Sequence, residues 1–488
     1  MSFFTKQSNS FSGNVIKLMS GTVLAQALGI LVMPIVTRFF TPEAFGVYAL
    51  FTAITAIIGV IACLRYELAI MLPETNEEAA NIVAVSLCSG VLITLISALI
   101  LFAGSEYILK LIKAPELKNY LWLIPVSVFF AGLWITLNYW NSRTKHFGRL
   151  SLIQIISSII TQIAKIAAGF AGFISGGVLI LTTLLGIVVS TGMLGKQIWR
   201  DDKALFTSNV RWQKIQNGFA RYKKFPLIDS AGGLLNTISW QLPALMLSTF
   251  FSVSVVGLYA LGLTVLQRPL SIVSGALSQV FYQRASEEKH IEGNNGVLVE
   301  NLMDKLMFVG ILPTAVLAMI GEELFSVLFG ARWGEAGRYT QILAPWIFFW
   351  FISSPLSALF SVYERQGSAL SVHLLIFLTR LVSLYIGGIY HSIYLALGLF
   401  SVTGIIAYAF VAAWNIRLAR ANGKRILLNL FKYSLYSLPI LFCLFLVKYT
   451  FQFKPVVILS AAIILGVLHC FAFSDRYYSI IKSSGMSH

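Results

Sequence analysis

Runs of about twenty apolar residues recur along the whole chain, separated by short polar or charged segments. A stretch of that length with almost no charge is what a helix needs to cross the hydrocarbon core of a bilayer. The pattern predicts fourteen spans, at residues 15–38, 45–71, 79–104, 119–140, 150–173, 176–198, 225–250, 253–281, 303–328, 339–363, 368–388, 392–416, 429–449 and 455–473. Gly and Pro punctuate many boundaries: Thr41-Pro42, Pro73, Ala114-Pro115, Gly176-Gly177, Gly387-Gly388 and Lys454-Pro455. Ala25-Gln26-Ala27 has the small-x-small form of a signal-cleavage site. The apolar run continues past it to Val36, so this first run reads as a retained span.

The pattern repeats itself. Arg38–Leu50 reads RFFTPEAFGVYAL and Thr249–Leu261 reads TFFSVSVVGLYAL. Phe39-Phe40, Gly46 and Tyr48-Ala49-Leu50 fall on Phe250-Phe251, Gly257 and Tyr259-Ala260-Leu261 without a gap. The expected organisation is a six-helix N-terminal lobe over 1–200, a polar linker over 201–224, a six-helix C-terminal lobe over 225–418, and two extra helices over 419–488. Six spans return the chain to its starting side. Both lobes then share one orientation, with a pseudo-two-fold axis along the membrane normal and the substrate site between them. Pro243 and Arg268-Pro269 lie mid-span in the second lobe's first hairpin, where proline removes a backbone hydrogen bond and bends a helix. These are expected hinges of an alternating-access cycle.

Composition settles the class. Of 488 residues 57% are apolar and 11% charged, and mean hydropathy is +0.80. Soluble chains carry about 25% charged residues, so the chain reads as an all-α multi-pass membrane protein. The net charge of +16 would suggest nucleic acid in a soluble protein. Here the loops alternate in charge. With the N-terminus inside, Lys6, Lys17, Arg143, Lys145, Arg149, the Lys196–Lys224 loop, Arg284, Lys289, Lys305, Arg365, Arg417, Arg420, Lys424, Arg425, Lys432, Arg476 and Lys482 are internal. Only Arg38, Lys110, Lys113, Lys118, Arg332, Arg338, Lys448 and Lys454 are external. That bias of about three to one follows the positive-inside rule and removes the need for a nucleic-acid partner. It puts both termini in the cytoplasm.

Cys63, Cys88, Cys443 and Cys470 lie in apolar runs without metal-ligand spacing, which favours core packing. There is no phosphate-binding loop, no His-Glu-x2-His and no Asp-x-Asp pair, so neither an enzyme nor a cofactor or metal site is expected.

Charges inside spans carry the functional signal, since a base at mid-membrane costs roughly 2.5–3.5 kcal/mol unless it meets water or a partner. The bases are Arg65, Lys165, Arg268 and Arg380; the acids are Glu67 and Asp229. Arg65 and Glu67 could equally snorkel to the inner interface. Asp229 reads as a partner of a helix N-terminus. Aligning Gly148 with Gly367 places Arg380 on Thr161, one turn from Lys165, and His373 on Gln154. Gln154, Ser158, Thr161 and Lys165 share one helical face, and so do His373 and Arg380. The expected site is a cationic cavity lined by Lys165, Arg268 and Arg380, with His373, Gln154, Thr161 and Arg65. The competing reading is a hydrogen-bonded helix contact. Arg and Lys donors suit a phosphate-bearing substrate.

Thr37-Arg38-Phe39-Phe40-Thr41-Pro42-Glu43-x2-Gly46-x-Tyr48 resembles the first-hairpin motif of the bacterial polysaccharide flippases. So do Arg65-Tyr66-Glu67-Leu68-Ala69-Ile70 with Pro73, and Phe225-Pro226 through Gln279-Val280-Phe281. The family belongs to the superfamily that includes the MATE drug exporters and the lipid II flippase. The resemblance covers about the first 420 residues. It implies two six-helix lobes in a V in the bacterial inner membrane, and passage of an undecaprenyl-diphosphate-linked oligosaccharide between leaflets for O-antigen or capsule assembly. A polymerase or ligase of that pathway is the implied protein partner. Many members have twelve spans. The two extra C-terminal helices depart from that pattern, and a groove for the lipid tail is their expected role. A MATE-like drug/cation antiporter is the alternative, but it would need intramembrane acids, and bases outnumber acids in the spans here. A membrane polymerase or ligase would present a large outer loop, which the sequence lacks.

Overall fold

The computed structural model describes residues 11–292 and 294–476. Among them the chain is helical with no strand. Fourteen long helices follow the expected order: α1 Phe11–Phe39, α2 Pro42–Gly59, α3 Asn76–Ile112, α4 Leu123–Arg143, α5 Phe147–Phe170, α6 Gly176–Asn209, α7 Ser230–Phe250, α8 Val253–Glu292, α9 Gly296–Leu328, α10 Gly334–Ser353, α11 Gln366–Ile389, α12 Ile393–Leu418, α13 Gly423–Phe445 and α14 Pro455–Ala472. Thirteen of them are long and apolar enough to cross a membrane. The other is α7, 21 residues long, whose Gly232-Gly233, Asn236 and Gln241 dilute its apolar character. A short amphipathic helix, Trp212–Arg221, lies between α6 and α7.

Polar residues at the loops start the helices. Thr41 accepts from the Ala44 amide and precedes Pro42 and Glu43 in the first turn of α2. Thr75 caps α3 in the same way, with Glu77 and Glu78 in its first turn. Side-chain caps satisfy orphan amides, and acids in the first turn complement the helix dipole.

One expected span is corrected. Residues 45–71 do not form a continuous helix: α2 ends at Gly59, a turn follows, and Tyr66–Ala69 makes a single separate turn. Leu64 and Arg65 both adopt the left-handed conformation, at φ 50° and 62°, which L-residues other than Gly enter only with strain. The apolar sequence Val60–Leu64 hides this break, because periodicity reports burial and not backbone handedness. Arg143 fastens the segment that follows. Its guanidinium donates to the carbonyls of Ile70 (3.0 Å), Pro73 (2.8 Å) and Thr75 (3.1 Å) and to Asn76 Oδ1 (2.9 Å).

By packing, the chain divides into two compact units, 1–257 and 258–488. The first unit has an aromatic-rich core in which Tyr66, Trp140, Ile153, Ile198, Ile215 and Tyr222 are buried together. This core joins the Trp212–Arg221 helix to α3–α6. In the second unit α9 and α10 approach closely. A Cβ on Gly337 would lie 2.3 Å from the Gly321 carbonyl oxygen, so only glycine fits there. Beside this contact α9 is non-helical at Ile320 (φ −118°, ψ 20°).

The C-terminal pair α13–α14 is fastened to α9 at both ends. At one end Asp304 accepts from Asn429 Nδ2 (2.9 Å), the Tyr433 hydroxyl (2.5 Å) and Arg476 (2.7 Å). At the other, Lys448 Nζ donates to Glu323 (3.0 Å) and to the Met319 carbonyl (2.7 Å), one residue from the Ile320 kink. Between these ends lies an apolar cavity of about 640 Å³, lined by Ile311, Ala315, Pro345, Phe348, Leu430 and Leu441 among others.

Candidate functional site

In the first unit α5 carries Gln154, Thr161 and Lys165, and close helix approaches fix its orientation. A Cβ on Gly21 would lie 2.0 Å from Ser151 Oγ, and one on Gly186 would lie 2.1 Å from Thr161 Oγ1. Small residues at these crossings let polar side chains bond across helices. Thr22 donates to Gln154 Oε1 (2.7 Å), and Ser158 donates to the Ala25 carbonyl (2.9 Å), both on α1. Ser157 donates to the Gly186 carbonyl on α6 (2.7 Å). The structure therefore uses Gln154, Ser158 and Thr161 in helix contacts.

Lys165 differs. It is half-buried, and its ammonium lies 5.3 Å from the centre of the Tyr48 ring. Among the described residues it makes no ion pair and no hydrogen bond. The Tyr48 hydroxyl accepts from Thr183 (3.3 Å). Helices α2, α5 and α6 thus bring a cation, an aromatic face and two hydroxyls together. A cation over a ring gains modestly when exposed and more when desolvated.

In the second unit Arg380 of α11 is only 3% exposed. It donates to the Tyr408 hydroxyl (3.1 Å), and its guanidinium lies 5.7 Å from both the Trp346 and the Phe400 ring centres. Gly404 makes room for Trp346: a Cβ there would lie 2.3 Å from the indole. Arg380 therefore departs from the expected open, cavity-lining position and is enclosed between α10, α11 and α12. His373, two turns earlier on the same face, is exposed. Arg268 is also exposed, and Ser271 donates to its carbonyl (2.8 Å), taking up an acceptor beside Pro269.

A regularity emerges that the sequence only half showed. Tyr48 and Tyr259 are equivalent in the repeat. Lys165 lies against Tyr48, and the charge of Arg380 acts on Tyr259. In each unit the cation on the repeat-related helix thus lies within electrostatic reach of the repeat tyrosine, in direct ring contact only for Lys165 and Tyr48 among the described residues. The tyrosines were legible as part of the Gly-x-Tyr-Ala-Leu motif. Trp346, Phe400 and Tyr408 were not, because aromatic residues are common in all spans.

Arg65 lies elsewhere. It sits beyond the C-terminal end of α2, whereas Tyr48 is near the N-terminal end, about 16 Å away along the helix. Its guanidinium is 3.7 Å from Glu67, whose side chain is buried. Arg65 Nε and Glu67 Oε2 are buried without hydrogen-bond partners. Gly233 of α7 passes close by, its Cβ position 3.6 Å from the guanidinium carbon.

A model of the family described as "polysaccharide biosynthesis protein" matches residues 35–338. The chain belongs to this family. A relative, the teichuronic acid biosynthesis protein TuaB of Bacillus subtilis (strain 168), is 18% identical over 281 residues, 55% of this chain and 54% of that protein. The chain thus spans about half the length of the curated relative it matches. Two solved structures share the fold. The lipid II flippase MurJ in an inward closed conformation superposes with a TM-score of 0.75 at 16% identity, covering 96% of this chain and 99% of that one. An inward-facing multidrug resistance MATE family transporter of the MOP superfamily gives 0.60 at 15% identity, covering 81% and 95%. At these identities the likeness shows the fold, that of multi-pass helical membrane proteins.

Proposed function

We propose that this protein moves a polyprenyl-diphosphate-linked oligosaccharide from the cytoplasmic to the periplasmic leaflet of the bacterial inner membrane, for O-antigen or capsular polysaccharide assembly. One observation carries the reading: Lys165, inside a membrane-length helix, lies over the Tyr48 ring and makes no ion pair among the described residues. Such a cation is expensive in the membrane unless it meets an anion or water, and a diphosphate supplies the anion. Arg268 and Arg380 are the second unit's contribution. Arg380 acts after its aromatic enclosure opens in an alternating-access cycle. The sugars travel in the aqueous part of the transport path. The prenyl chain takes the apolar cavity between α9, α10 and α13, whose aliphatic and aromatic lining suits it.

The family supports a saccharide-pathway substrate, and a relative named for teichuronic acid biosynthesis and a fold neighbour named a lipid II flippase agree with a lipid-linked one. The loop charges favour cytoplasmic termini. A drug/cation antiporter would place acids where Lys165 and Arg380 stand. Deleting the protein and identifying the lipid-linked saccharide that accumulates, and on which leaflet, tests the proposal. Accumulation of no such intermediate, with polymer made normally, overturns it.

A further inference from the structure

Helix α6 is 34 residues long, about 50 Å at the α-helical rise, against about 30 Å of hydrocarbon. Its exposed side forms one line. Leu181 and Leu185 are exposed within the apolar part, and Gly192, Lys196, Trp199, Arg200 and Lys203 continue it at spacings of three, four and seven. From Gly176 to Lys196 the helix rises about 30 Å, so Lys196 stands where its lipid-facing side leaves the hydrocarbon. Trp199 follows directly and is 53% exposed.

The charges around this end are sorted by side. Asp201 accepts from Arg149 of α5 (2.6 Å) and also from Arg200 (3.2 Å), while Asp202 accepts from the Trp140 indole of α4 (2.8 Å). Both acids thus meet donors from packed helices; Arg200 shares Asp201 with Arg149, and Lys196, Trp199, Arg200 and Lys203 lie on the exposed face. The chain onward to Lys224 adds Arg211, Lys214, Arg221, Lys223 and Lys224 and no further acid.

We propose that the Lys196–Lys203 face of α6 binds headgroups of anionic phospholipids in the leaflet it leaves. The occupant follows from continuity: the same helix face exposes Leu181 and Leu185 within a membrane-length apolar run, a face suited to acyl chains, so the fitting neighbour of Lys196 one interface further along is a headgroup. Lysine and arginine donors match its phosphate, and an exposed indole prefers this interfacial level. The positive-inside bias orients a chain during insertion. It requires no ordered lipid at this face, and the two roles separate experimentally.

The test is hydrogen exchange of amides 200–209 in the full-length protein. It compares nanodiscs of phosphatidylcholine with nanodiscs of phosphatidylcholine and phosphatidylglycerol. Each cation near an anionic surface contributes enough that three of them should slow exchange about tenfold or more in the anionic discs. Molar salt should erase the difference. The triple variant Lys196→Gln, Arg200→Gln, Lys203→Gln should lose it. Equal exchange of the unmodified protein in both discs overturns the proposal without any variant. A triple variant that keeps the difference also overturns it. If inorganic phosphate in phosphatidylcholine discs slows exchange equally, the face is a general anion site and the lipid assignment fails.

Discussion

Gly46 and Gly257 hold the same place in the two copies of the repeat, and their backbones pack directly against one another. A Cβ on Gly46 would lie 1.8 Å from the Val253 carbonyl oxygen, and one on Gly257 would lie 1.9 Å from the Pro42 carbonyl oxygen and 2.8 Å from the Gly46 nitrogen. Pro42 and Val253 are themselves equivalent positions, so the contact is reciprocal. Because the obstructing atoms are backbone, no rotamer change relieves a clash. Gly46→Ala and Gly257→Ala should each destabilise by about 1–3 kcal/mol, read as a lower unfolding temperature in detergent. The double variant should cost less than the sum, since one separation of the helix ends relieves both.

Lys165→Gln should cut flipping about tenfold to a hundredfold, the worth of one or two hydrogen bonds to a charged group. Unfolding temperature should hardly change, because no acid is left unpaired. Lys165→Glu should be more severe. Complementation of a flippase-deficient strain, with membrane levels checked by immunoblot, measures both; full complementation by Lys165→Glu at normal levels sinks the cationic site.

Arg380 should show a different signature. Its enclosure by Trp346, Phe400 and Tyr408 makes stability part of its role. Arg380→Ala should lose about 3 kcal/mol through the vacated volume and abolish complementation. Arg380→Lys should be milder but not silent, since the planar fork is lost. Tyr408→Phe should cost about 1 kcal/mol. If Arg380→Glu complements at normal membrane levels, Arg380 has no part in transport.

The fastening of α13–α14 gives a prediction about local opening. Asp304→Asn weakens the charged contacts with Arg476, and Lys448→Met removes the donor near the α9 kink. Each should speed hydrogen exchange in α13 and α14 with little change elsewhere. The partly exposed Asp304 pair should have the smaller effect, because solvent screens it. Uniform acceleration over the whole chain would mean that the pair is not a separable element.

Topology can be read by labelling. In a cysteine-free background, Lys113→Cys should react with an impermeant maleimide from outside and Lys214→Cys only after permeabilisation. The opposite pattern reverses the assignment of leaflets.

Most of the fold was legible, since hydrophobic length is what a bilayer demands of a helix. The Gly-x-Tyr-Ala-Leu repeat marked Gly46 and Gly257 as paired positions, although not their mutual contact. The break after Gly59 was hidden because Val60–Leu64 is as apolar as the helix before it. In the candidate site, the sequence identified the cations and not their surroundings. Gln154 and Ser158 share a face with Lys165, yet they bond to α1, since a period of 3.6 cannot tell a neighbouring helix from an aqueous cavity. The anchoring of α13–α14 relies on pairs such as Glu323–Lys448, over a hundred residues apart, and no local pattern links them.

The Arg143 guanidinium bears on the order in which the chain is made. Its acceptors Ile70, Pro73 and Thr75 leave the ribosome about seventy residues ahead of it. At roughly 5–20 residues per second, those carbonyls wait several seconds for their donor, through the synthesis of α3 and α4. During that interval the Ala79 amide serves Thr75 once α3 begins, while Ile70 and Pro73 rely on water. The Ile70–Pro73 segment that links the Tyr66–Ala69 turn to α3 therefore gains its guanidinium clamp only after the fourth helix has been delivered.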